Sequence, residues 1–215
     1  MRFAQASTLR VARWIAVLVV LLGYVNVALG WVPLPDRLAL AFAFALGPVA
    51  VIGVLGVSER LATAFAPRIV RAGSVFLVTA FALLTLMLAV QQAILAEYAR
   101  LRGGLPSADV PKALADAFAL TSQVQLGADV AFDVFYSVGI AVTSTALLGG
   151  SGLARMAGAY GLLVGCGLLA LNIWTFPVPP SSAGVVDLGP ATIVWWIGVI
   201  FLARRLDRGI PGRDH

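Results

Sequence analysis

One cysteine, one histidine and one lysine stand among 215 residues, and each scarcity excludes a class of chemistry. Cys166 alone allows no internal disulfide, no Cys-x-x-Cys redox pair and no cysteine-rich metal centre. His215 has no second histidine with which to build a bis-histidine haem or a histidine zinc site within this chain. Lys112 falls in a connection between apolar runs, so an intramembrane retinal Schiff base is not available. Charge is scarce as well: 12% of the residues are charged, against roughly 25% in a soluble domain. There is no Gly-x-x-x-x-Gly-Lys phosphate loop. No basic run interleaves with aromatics, so the net charge of +5 does not point to a nucleic-acid partner. No metal and no cofactor is expected.

Apolar sequence fills the chain instead, with 60% hydrophobic residues and a mean hydropathy of +0.97. A spanning helix takes about 20 mostly apolar residues to cross about 30 Å of hydrocarbon. Such runs lie near 14–31, 38–57, 72–97, 129–150, 155–176 and 188–204. Lipid offers no partner to a backbone N–H or C=O, so runs of this length are helices, whereas barrel strands are shorter and alternate. The expected fold is an all-α integral membrane protein, a six-transmembrane-helix bundle forming one domain over 1–215. Between the third and fourth runs, Leu101-Arg-Gly-Gly-Leu-Pro-Ser-Ala-Asp109 is a loop signature and Pro111 suits a first helical turn. Ala113, Leu114, Ala117, Phe118, Thr121 and Val124 then recur at helical spacing. This predicts a short amphipathic extracytoplasmic helix on the membrane surface or over the bundle mouth.

Basic residues near the ends of spans are retained on the cytoplasmic side. Arg2, Arg10, Arg13, Arg60, Arg68, Arg71, Arg155, Arg204, Arg205, Arg208 and Arg213, eleven of the fifteen basic residues, fall on one side of the six-run arrangement. Arg37, Arg100, Arg102 and Lys112 fall on the other. The predicted location is a bacterial cytoplasmic (inner) membrane with both termini inside and the 98–128 connection outside. The first run also admits a signal-peptide reading, since Ala28-Leu-Gly30 is spaced like a cleavage site and cleavage would leave five spans. Its length, together with Asn26, Trp31 and Pro33, favours a retained span.

Polar groups inside spans are costly in hydrocarbon and so mark candidate sites. Asp129, Asp133 and Ser137 recur at i, i+4 and i+8 on the fourth run, and Ser144 and Thr145 continue that face. Gln91 and Gln92 end the third run on the same side, and Asn26 and Asn172 reach a comparable depth on the first and fifth. The candidate ion-binding or polar cluster is therefore Asp133, Asp129, Gln91, Gln92, Asn26, Asn172 and Ser137, an outward-opening vestibule able to bind a cation, relay a proton or grip an amine. If the span begins near Ala128, Asp129 also reads as its N-cap or first-turn residue and Asp133 as an acid just past that turn, where the helix dipole still favours it. Asp36 and Asp187 read as caps.

Small residues give packing rather than chemistry. Ala157, Gly161 and Gly165 form one small-xxx-small face and Ala39, Ala43 and Gly47 another, each allowing close helix approach within the chain or to other membrane subunits. Gly149-Gly-Ser-Gly152 matches the Gly-x-Ser-Gly nucleophile pattern of rhomboid proteases, but the sixth run carries no histidine to act as base, so Ser151 reads as a turn residue. The expectation that demands least is a structural or accessory subunit of a membrane assembly, with the lipid bilayer and other subunits as partners. The alternative is a transporter, channel or small-molecule receptor built on Asp129 and Asp133. An enzyme would have to work with carboxylates alone.

Overall fold

The computed structural model describes residues 36–106 and 110–208. Its regular elements are helices: α1 (Asp36–Ala62), α2 (Pro67–Arg102), α3 (Lys112–Leu148), α4 (Leu153–Thr175) and α5 (Thr192–Arg208). Four of them, α1 to α4, are long and apolar enough to cross a membrane, which makes this a helical protein of membrane type.

The helix boundaries follow from local chemistry. Pro67 occupies the first turn of α2, where its missing N–H removes no hydrogen bond. Gly103 ends α2 in the left-handed conformation at φ 58°, and its N–H closes on the Ala99 carbonyl. Pro111 caps α3, and its carbonyl accepts the Leu114 amide. Pro48 lies inside α1 without ending it.

Two expectations change. The predicted separate surface helix is instead the first part of α3, a single helix of 37 residues. The joint at 125–128 contains one glycine, Gly127, and no proline. A lone glycine costs about 1 kcal/mol in a helix and does not stop it. The six spans also reduce to four among the described residues. The 14–31 run and Asn26 lie outside those residues, and the last run forms a helix of only 17 residues, about 26 Å long and short of the hydrocarbon thickness. That helix starts at Thr192 rather than 188, because Asp187, Leu188, Gly189 and Pro190 form a turn in which the Gly189 N–H donates to Asp187 Oδ1 at 2.7 Å.

Helices adjacent in sequence pack together, and α5 rests on both α4 and α1. The short connections at 63–66, 103–111 and 149–152 make α1 to α4 antiparallel neighbours. Arg60, Arg68, Arg71, Arg155, Arg204 and Arg205 consequently share one end of the bundle. Leu61, Val70, Leu77, Ile140, Leu147, Leu168 and Trp195 are buried in a common core. Lipid tails are as apolar as leucine, so the helices are held by close fit rather than by transfer from water. Gly47 has no room for a Cβ, which would come 2.5 Å from the Phe81 carbonyl oxygen, and a Cβ on Gly165 would come 2.9 Å from the Ser137 carbonyl oxygen. The Ala43–Gly47 face thus packs on α2, and the Ala157–Gly161–Gly165 face packs on α3 and α5. The Ala39 side chain lies outside the described residues.

At about 1.5 Å per residue, α2 and α3 are each about 55 Å long, far more than the roughly 30 Å of hydrocarbon. Their joined ends form a helical hairpin that outruns the other helices. The Tyr98 and Phe118 rings meet there at 4.2 Å, beside a groove of about 320 Å³ lined by residues that include Ile94, Leu101, Leu114 and Thr121.

Candidate functional site

Asp129 and Asp133 lie one turn apart on α3, both part-buried, at the end of the bundle away from the arginines. Asn172 enters from α4, where the chain has turned back, and is 0% exposed. Its Nδ2 donates to the Leu168 carbonyl at 3.0 Å, and its amide is the side-chain hydrogen-bond neighbour of the Asp133 carboxyl group. Asn172 Oδ1 has no hydrogen-bond partner among the described residues. A buried carbonyl oxygen left without a donor loses its hydration and gains nothing in return, at a cost of about 1–3 kcal/mol.

A third carboxylate joins these two. Asp187, exposed in the turn before α5, acts electrostatically on both Asp129 and Asp133, and Asp129 also acts on Asp133. Its position is fixed by a run of hydroxyl hydrogen bonds. The Trp196 indole N–H donates to Tyr136 Oη at 2.7 Å, the Tyr136 hydroxyl donates to Thr192 Oγ1 at 3.0 Å, and the Thr192 hydroxyl donates to the Gly189 carbonyl at 2.6 Å. Tyr160 adds a bond to the Ala191 carbonyl at 2.9 Å. The start of α5 is thereby tied to α3 and α4. Phe132 stacks on Tyr136 at 5.3 Å and Phe81 meets Tyr136 edge-on at 5.8 Å, an aromatic cluster on the arginine side of Asp129.

The other expected members fall elsewhere. Ser137 is buried, but its hydroxyl donates to the Asp133 carbonyl at 2.6 Å, the back-bonding typical of serine within a helix. Gln91 and Gln92 are half-buried on α2. Met87 and Leu88 pack at the level of Ala128, and Phe81 at the level of Phe132. In this antiparallel register the glutamines stand beyond Asp129 toward the hairpin, about two turns or 12 Å from the level of Asp133. Asn26 lies outside the described residues. The structure thus brings together Asp129, Asp133 and Asn172, and adds Asp187.

In the sequence Asp187 reads only as a cap, and Tyr136 does not stand out. The signal for Asp187 was its placement before the last run on the same side as Asp129 and Asp133. Tyr136 carried no local signal, because its partners lie 56 and 60 positions away.

The arrangement has anionic acceptors in excess. Among the described residues no three His, Cys, Asp or Glu side chains are grouped to hold a metal ion. No family model, no curated protein and no solved structure matches this chain.

Proposed function

We propose that this is a bacterial inner-membrane protein that binds a small solute at the Asp129, Asp133 and Asn172 cluster, with the arginine-bearing end in the cytoplasm and the cluster facing out. One observation carries the reading: the fully buried Asn172, whose amide neighbours the Asp133 carboxyl, keeps its Oδ1 unpartnered among the described residues. Most buried polar groups in native structures find a partner, so an acceptor left open beside carboxylates suits a donor from a ligand. Intramembrane carboxylates commonly mark solute or ion paths.

The test is thermal unfolding of the full chain in neutral-lipid vesicles against a panel of small cationic, neutral and anionic solutes. A ligand that binds only the folded state raises the melting temperature by mass action. At least one solute class is expected to stabilise the wild type and to lose that effect in Asp133→Asn. A panel without effect on the wild type overturns the reading.

A second reading, an accessory subunit of a membrane assembly, is favoured by the projecting hairpin. Leu120 and Val124 are 71% and 69% exposed there. The neighbouring charges pair among themselves, Glu97 with Arg100 and Lys112 with Asp116. A surface of exposed leucine and valine with its charges already paired suits an apolar helix of another subunit. Leu120→Glu with Val124→Glu should then shrink the native complex to the size of the single chain without unfolding it, and an unchanged size rejects this reading.

A further inference from the structure

The donors around the carboxylates are already engaged. Asn172 Nδ2 serves Leu168, Ser137 serves the Asp133 carbonyl, and Tyr136, Thr192 and Trp196 serve one another and Gly189. The Gly189 N–H serves Asp187. Acceptors remain: the carboxylate oxygens of Asp129 and Asp133 and the buried Oδ1 of Asn172. The charges bearing on Asp133 are those of Asp129 and Asp187, so the local field is negative from two directions. A neutral solute would leave that field uncompensated, and an anion would add to it. A bare divalent ion needs converging ligands at about 2.0–2.6 Å, and no group of three acidic, His or Cys side chains among the described residues meets that need.

We infer that the cluster recognises an organic cation with N–H donors, a primary ammonium, held by Asp129 and Asp133 as charge-assisted acceptors and by Asn172 Oδ1 as the third. An ammonium carries three donors and no acceptor, which matches three acceptors without a donor. Charge-assisted hydrogen bonds of this kind are about twice as strong as neutral ones. Tetraalkylammonium ions carry the same charge without an N–H, and sodium carries it without a hydrogen-bond geometry. The inference rests on the cluster being a solute site, so its test must separate the two.

The experiment is calorimetric titration of the full chain, in uncharged maltoside micelles, with propylammonium, tetramethylammonium and sodium. Propylammonium is expected to bind, and the other two to bind at least about tenfold more weakly, the equivalent of losing one charged hydrogen bond. Asp133→Asn and the near-isosteric Asn172→Leu should each weaken propylammonium binding about tenfold. Circular dichroism identifies any variant that has lost its fold, and the other then decides. Equal binding of tetramethylammonium, or binding of sodium alone, overturns the ammonium class while leaving a solute site in place. Failure of every cation to bind, with a neutral or anionic solute binding in an Asp133-dependent way, also overturns the ammonium class alone. No binding by any solute overturns both.

Discussion

Replacing Gly161 by alanine is expected to destabilise the protein, and the same replacement at Gly127 to stabilise it. Both glycines lie inside helices, Gly161 in α4 and Gly127 in α3, so both gain about 1 kcal/mol of helix propensity from the added methyl group. Around Gly127 the new Cβ meets nothing within 4 Å. That gain is therefore retained, and Gly127→Ala should add about 0.5–1 kcal/mol. At Gly161 the new Cβ would fall inside contact distance of Ser144 Oγ and of Trp195 Nε1 and Cδ1. Ser144 is 0% and Trp195 1% exposed, so neither side chain has a way out. Helix α4 must withdraw from α3 and α5 until ordinary contacts of 3.4–4 Å return. Overpacking costs about 1–3 kcal/mol, and three atoms without room to retreat place this case in the upper half of that range. After the helical gain, a net loss of about 1–2 kcal/mol remains. Reversible unfolding by sodium dodecyl sulfate in mixed micelles, followed by circular dichroism, measures both values. A neutral or stabilising Gly161→Ala, or the same sign at both positions, would refute the close α3–α4–α5 packing.

Tyr136→Phe removes the middle of the hydroxyl run, leaving the Trp196 indole N–H without its acceptor and Thr192 without its donor. A loss of about 1–3 kcal/mol is expected in the same unfolding assay, together with a change in tryptophan fluorescence; wild-type behaviour in both would dismiss the run as a structural tie. Cys166 is exposed on the surface of α4, near the middle of the helix. In intact vesicles it should resist charged and apolar maleimides alike and react with both once the protein is unfolded in detergent, because lipid covers that surface and withholds the water that ionises the thiol. Rapid labelling by the charged reagent would contradict a membrane-spanning α4.

Much of the fold was legible because apolar run length is a property of the sequence alone. The second to fifth runs became α1 to α4, with Pro67 and Gly103 marking boundaries as proline and glycine do. The continuity of α3 was not legible, since Gly127 among polar residues resembles a break, and only the pairing with α2 decides that the helix continues. The start of α5 was displaced by an aspartate turn whose hydrogen bond is local but whose competition with the helix is not. Within the site, Asp129 and Asp133 followed from helical spacing. Gln91 and Gln92 end their own apolar run, and only the antiparallel register, which no local pattern encodes, sets them beyond the carboxylates. The small-residue faces revealed where close approach occurs, and the neighbours that use it, Ser144 and Trp195 among them, are long-range facts.

The most direct test of the solute site is a double-mutant cycle on propylammonium binding, using Asp133→Asn, Asn172→Leu and the pair. If one ligand contacts both side chains, the two losses should be non-additive, with a coupling of at least about 1 kcal/mol. Strictly additive losses, or binding that neither substitution weakens, would contradict a shared ligand at Asp133 and Asn172.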